Sequence, residues 1–175
     1  SLPRYKSIWE VAIVLRYLKT LHPSSKLSLR DLTLKLTMLI ALLSGQPCQT
    51  IHALEFNSTK VEAHPPQQYI FQINQLRQTS RPGKHFSHLV LQSYPDDKQL
   101  CVYEVLQAYL EKTKPLRTSY TQLLISYPKP YQPVTTDTIA RWLRMALDNS
   151  GIDTTAFRVH STRAAATSAA KCANL

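Results

Sequence analysis

The sequence predicts a mainly α domain with a small antiparallel β-sheet, and three observations carry that expectation. Segments near both ends space their apolar residues at a helical period. One central stretch, Gln68 to Leu76, alternates and is rich in β-formers. The order is therefore helices, a small sheet, then helices, with no internal repeat.

Tyr5 to Leu21 reads as the first helix, because Ile8, Trp9, Ala12, Ile13, Leu15 and Leu18 share a stripe that Lys6, Glu10, Arg16 and Lys19 largely avoid. His22-Pro23-Ser24-Ser25 ends it. Ser28 with Asp31 three positions on is close to a capping box and opens a nearly all-apolar helix to Leu43, which Gly45 is placed to stop. A helix apolar on most faces belongs in the middle of the domain. Thr50 to Phe56 is ambiguous and fits the end of another helix.

After the alternating stretch, His88 to Leu91 is a second strand candidate, and Thr79-Ser80-Arg81-Pro82-Gly83-Lys84 between the two is a turn with a basic tip. Leu100 to Lys112 is helical again, with Val105, Leu106, Tyr109 and Leu110 inward. Leu123 to Ser126 is a short buried segment before a proline-punctuated loop, Pro128 to Pro133. A further helix starts at Thr135 or Thr136 and turns Ile139, Trp142, Leu143, Ala146 and Leu147 inward, leaving Arg141 and Arg144 on its other side. Gly151 caps it, and an alanine-rich helix beginning at or near His160 closes the chain. Trp9 and Trp142 sit on apolar stripes and read as core.

Composition narrows the function classes. A chain of 175 residues with 43% apolar content is one domain with a packed core. No apolar run reaches the ~18 residues of a membrane span, and no signal peptide is visible, so an intracellular location is expected. The three cysteines, Cys48, Cys101 and Cys172, form neither a zinc-binding spacing nor an even disulfide set. The histidines His22, His52, His64, His85 and His88 lack ligand-like spacing and read as loop or surface residues, so no metal and no cofactor is expected. A net charge of +10 favours an anionic partner. Nucleic acid is preferred to a membrane surface, because no basic amphipathic helix with an aromatic apolar face stands out.

The segment Arg158 to Lys171 carries the chemistry. His160 and Arg163 lie three residues apart, so a helix starting there turns both toward one spot from its first turn. A titratable proton carrier, a fixed cationic fork and the N–H groups of a helix start suit a phosphodiester. The plainer alternative is a helix cap beside a solvated arginine.

Three motifs stand in order: Leu39-Ile40-Ala41-Leu42-Leu43-Ser44-Gly45-Gln46-Pro47-Cys48-Gln49-Thr50, Thr79-Ser80-Arg81-Pro82-Gly83-Lys84, and His160-Ser161-Thr162-Arg163-Ala164-Ala165. Together they resemble the catalytic domain of the tyrosine recombinases, or phage-integrase-like enzymes, over nearly the whole chain. The nearest branch is that of the DIRS-type and Crypton-like elements of eukaryotes. The resemblance implies metal-independent phosphoryl transfer on double-stranded DNA, in which a tyrosine forms a 3′-phosphotyrosyl link. Two arginines clamp the phosphate, a histidine moves a proton, and a hairpin lysine protonates the leaving oxygen. It also implies a nuclear location and other recombinase protomers in a synaptic complex as partners.

Carried over by motif, His160 is the proton shuttle and Arg163 the second clamp. Elsewhere the sequence departs from the pattern. Pro47 stands where the first clamp arginine is expected, and Gln78 where the hairpin lysine is expected, beside Arg77. Arg77, Arg81, Lys84, Arg141 and Arg144 remain as DNA-backbone candidates, each also compatible with a solvated surface. The family's nucleophile follows its H-x-x-R by one or two helices, and none of the nine tyrosines lies beyond Tyr131. A C-terminally truncated domain without the nucleophile segment, inactive as it stands, monomeric, and with an apolar patch exposed near its C-terminus is therefore expected, unless a partner supplies the tyrosine in trans. The competing expectations are a domesticated, non-catalytic DNA- or protein-binding module and a basic protein–protein module.

Overall fold

A computed structural model describes residues 3–74 and 86–154, with side chains over 10–73 and 88–154. The described elements are α1 (Pro3–Thr20), α2 (Leu29–Ser44), α3 (Cys48–His52), β1 (Thr59–Glu62), β2 (Gln68–Asn74), β3 (Phe86–Gln92), α4 (Val102–Thr113) and α5 (Thr136–Asn149).

α2 is the central helix. The Ser28 hydroxyl accepts the Asp31 N–H at 3.1 Å, which satisfies one of the free donors of the first turn. Every residue from Leu32 to Leu42 is buried, in keeping with a helix apolar on most of its faces. Gly45 then takes φ 62 and donates its N–H to the Ala41 carbonyl at 3.0 Å, a left-handed termination that costs a side-chain-bearing residue more than glycine.

α2 packs against α4 and α5, while α1 lies against the turn before α4 and touches α5. The sheet runs in the order β1-β2-β3, all antiparallel, with Lys60 opposite Ile70 and Ile70 opposite Val90. Alternation sends Tyr69, Phe71 and Ile73 of β2 and Leu89 and Leu91 of β3 into the core. There the Tyr69 ring stacks on Tyr103 of α4, with centroids 4.8 Å apart. The opposite face presents Lys60, Gln72, His88 and Val90 to solvent.

The expected class is what the structure shows: mainly helical, with one small three-stranded antiparallel sheet. As expected, the ambiguous stretch at 50–56 contributes the end of a short helix, α3, which starts at Cys48. Two details differ from expectation: α1 buries Val11, Val14 and Leu18 while Ala12 is exposed, and β1 is a strand that no local pattern announced. Trp142 is core, at 1% exposure, as its apolar stripe implied. The side chain of Trp9, the hairpin tip at 79–84 and the final alanine-rich segment lie outside the described residues.

Candidate nucleic-acid interface

Of the nine positions singled out by sequence, three fall on described residues: Pro47, Arg141 and Arg144. Arg77, Gln78, Arg81, Lys84, His160 and Arg163 lie outside them.

Pro47 follows the left-handed turn that ends α2 and serves as the residue before α3. Its φ of -70° and ψ of 163° are extended, and its carbonyl accepts the Thr50 and Ile51 N–H groups at 3.0 and 3.2 Å. Proline suits this place because its φ is preset and no N–H is required of it. It offers an anion neither charge nor donor. The next cation along the chain, Lys60, sits on β1 and pairs with Glu62 at 3.4 Å.

α3 packs against α5, so the end of α2 and the arginine-bearing helix are neighbours. α5 is strongly amphipathic. Ile139, Trp142, Leu143, Ala146 and Leu147 are buried, whereas Arg141 is exposed and Arg144 partly buried. The helix begins at Thr135, whose hydroxyl accepts the Thr138 N–H at 3.2 Å. Among the described residues no carboxylate lies within ion-pair distance of Arg141, which leaves its guanidinium available to an external anion.

Arg141 stands on the wall of a surface cavity of about 240 Å³ between α5 and the proline-punctuated loop. Ser126, Tyr127, Gln132, Thr138 and Trp142 line it with Arg141. Tyr127 packs against Trp142 with ring centroids 5.9 Å apart, so the lining combines two aromatic rings with polar side chains. The loop itself is held by Ser126, whose hydroxyl donates to the Pro128 carbonyl at 3.1 Å and accepts the Gln132 N–H at 3.0 Å. Sequence reading marked the loop but not the cavity, because its walls come from two segments joined only by folding.

Two further cations are tied to backbone carbonyls of the fold. Lys35, in the middle of α2, is fully buried and donates to the carbonyls of Leu21 and Gln99 at 2.6 and 2.7 Å. Burial pushes its pKa from 10.5 down to about 8, against the opposing pull of Asp97, Cys101 and Glu104. Arg117 donates to the Thr113 hydroxyl at 3.2 Å and to the Gln122 and Leu123 carbonyls at 2.7 and 2.6 Å. Its guanidinium carbon sits 4.8 Å from the Phe56 ring centroid. Burial lowers its pKa, and Tyr109 and Tyr120 oppose that. Neither side chain was marked by sequence.

Of the histidines read as loop or surface residues, His22 and His64 are exposed in connecting segments, while His88 is exposed on β3 and His52 is partly buried in α3. Among the described residues no three of His, Cys, Asp and Glu converge as a metal site would need. Among them, too, no helix is long and apolar enough to cross a membrane.

Neither a family model nor a curated protein matches the sequence. Solved structures do match the fold. A pre-cleavage complex of XerH site-specific recombinase with difH substrate superposes at a TM-score of 0.60 and 12% identity, over 89% of this chain and 39% of that one. A post-cleavage complex of XerH with palindromic difH substrate gives the same TM-score and identity over 89% of this chain and 38% of that one. This chain thus spans about two fifths of the length of the recombinase it resembles. Its helices and three-stranded antiparallel sheet have the fold of a tyrosine recombinase, XerH.

Proposed function

We propose that this chain is a recombinase-like domain that binds double-stranded DNA through its phosphates, with strand-cleaving chemistry weakened by the loss of a clamp. The observation that carries the reading is the fold likeness over 89% of the chain to a site-specific recombinase solved with its substrate. The +10 net charge supports it, as does Arg141, which has no ion-pair partner among the described residues. Within that reading His160 and Arg163 hold a phosphate. Arg163 forks onto its non-bridging oxygens, and His160 moves a proton. Arg77, Arg81, Lys84, Arg141 and Arg144 contact the DNA backbone. The reading extends to the DIRS-type and Crypton-like branch that the motifs resemble, with action in the nucleus on mobile-element DNA.

Binding to a labelled duplex is expected to fall steeply with salt, because each phosphate contact releases counterions and adds roughly 0.9 to the slope of log K against log salt. Arg163→Ala should lower that slope by about one contact and weaken binding about tenfold. Salt-independent or absent binding would remove the DNA reading. Unchanged affinity in the variant would reduce Arg163 to a residue of a helix cap.

Pro47 favours a second reading on the same fold, a domain that binds DNA, or a protein partner, without cutting. A missing oxyanion-type donor costs on the order of 10²–10³ in rate. Pro47→Arg is tolerated by the backbone, since arginine readily adopts φ -70° and ψ 163°. The variant is expected to lose about 0.4–1 kcal/mol of stability through a freer unfolded chain. It should gain about one phosphate contact in the salt slope. A slope unchanged from the parent would show that position 47 does not face the DNA.

A further inference from the structure

The loop that walls the cavity beside α5 is fixed by the fold at several points. The Ser126 N–H reaches the Gln132 carbonyl at 2.8 Å, and the Val134 N–H reaches the Leu124 carbonyl at 3.4 Å. The Gln122 side-chain amide donates to the Val134 carbonyl at 2.9 Å, and the Tyr120 hydroxyl donates to the Tyr131 carbonyl. Tyr131 itself takes φ 57, a conformation that a residue with a side chain keeps only where its surroundings impose it. A wall held in this way needs little further ordering when a ligand enters.

The lining joins two chemistries. Trp142 is 1% exposed and Tyr127 half-buried, so Tyr127 is the ring that a ligand can meet. Thr138 and Arg141 lie three residues apart and so share one face of α5. Arg141 has no ion-pair partner among the described residues, and the lining contains no carboxylate. An accessible ring beside a guanidinium and a hydroxyl suits a ligand that carries a flat ring and an anionic group. At about 240 Å³ the space is smaller than the roughly 300–1,000 Å³ of sites for drug-sized ligands. It suits one ring-bearing unit and not a peptide segment. We propose that the cavity takes a single nucleotide, its base against Tyr127 and its phosphate on Arg141 and Thr138. A free nucleotide and an unpaired nucleotide of a DNA strand present this same chemistry. The choice of a nucleotide among anionic ring compounds rests on the DNA-binding reading above.

The test is a titration of deoxyadenosine 5′-monophosphate into the isotope-labelled protein, followed by NMR. Shifts centred on the cavity residues and a dissociation constant of about 0.1–1 mM are expected. Arg141→Ala should weaken binding about tenfold or more, and Tyr127→Leu, which keeps an apolar side chain, about fivefold or more. Tyr127→Phe should bind as the parent does. Inorganic phosphate and deoxyadenosine should each bind about tenfold more weakly than the nucleotide. Arg141 is exposed, so its variant tests the site even where a change at Tyr127 disturbs the loop. A nucleotide that causes no shifts, that binds no better than phosphate, or that is indifferent to Arg141→Ala overturns the proposal. Two duplexes of equal length, one fully paired and one with a single bulged adenosine, identify the source. A preference for the bulge of about fivefold, abolished by Tyr127→Leu, assigns the site to a strand. Equal duplex affinities with nucleotide binding intact assign it to the free nucleotide. Failure of both duplexes with nucleotide binding intact removes the DNA reading alone, and duplex binding without any nucleotide effect removes the cavity's role alone.

Discussion

Arg117→Ala is expected to lower the free energy of unfolding by about 3–5 kcal/mol, read as a shift in urea midpoint at unchanged m-value. The guanidinium spends its donors on the Thr113 hydroxyl and on two backbone carbonyls, Gln122 and Leu123. Alanine strands both carbonyls where water reaches them poorly, at about 1–3 kcal/mol each. It also removes the cation lying over the Phe56 and Tyr109 rings, worth about 0.5–2 kcal/mol when partly desolvated. The contacts share one side chain, so their sum is an upper bound. The damage should spread, because the segment Arg117 holds is cross-linked to the chain leaving α3. Leu123 donates to the Leu54 carbonyl at 2.8 Å, and Phe56 donates to the Thr121 carbonyl at 3.0 Å. Arg117→Lys should recover only part of the loss, since an ammonium cannot reproduce the planar fork or its stacking. A cost under about 1 kcal/mol for the alanine variant would mean that water reaches both carbonyls after all.

Helix ends were the most legible features of the sequence. Ser28 and Gly45 bracket α2 as read, and Thr135 caps α5, because capping chemistry is local and uses few residue types. The phase of α5 separated Arg141 from Trp142 for the same reason, as adjacent residues face about 100° apart on a helix. β1 was not legible. Thr59-Lys60-Val61-Glu62 carries no buried residue, and it is a strand because β2 offers it an edge. α3 is too short to show a period.

The candidate interface divides the same way. Its exposed arginine follows from helix phase, while the cavity beside it depends on how the loop around Ser126 folds back on α5. Inward cations were the hardest to find. Lys35 is held by carbonyls 14 and 64 residues away in sequence, so no window of the chain contains the reason for it.

Lys35→Met is expected to destabilise the protein modestly at pH 7, by about 1–2 kcal/mol, and more severely at pH 10, by about 3–5 kcal/mol. Methionine keeps a long apolar stem in the buried slot, so cavity formation is a minor part of the change. Two effects oppose each other. The carbonyls of Leu21 and Gln99 lose their donor, at about 1–3 kcal/mol each, at any pH. Removing a buried ammonium brings relief, but only where that ammonium is charged. The lysine pKa is lowered from 10.5 to about 8 in the folded protein. Between those values the unfolded chain binds the extra proton. Wild-type stability therefore rises with pH across that window, and the gain is lost as pH falls through about 8. At about 1.4 kcal/mol for each pKa unit, the swing is on the order of 2–3 kcal/mol after allowance for relaxation around the charge. At pH 10 most of the wild-type amine is neutral, still able to donate both hydrogen bonds, and the variant gains little relief to offset the stranded carbonyls. Urea unfolding of both proteins at several pH values isolates the effect, because other titrations are common to both and cancel in the difference. A difference that stays flat with pH would show that Lys35 titrates normally. A variant more stable than wild type at pH 7 would show that desolvation outweighs the two carbonyl bonds, and that this lysine is kept for where it holds α1 and the turn before α4 rather than for stability.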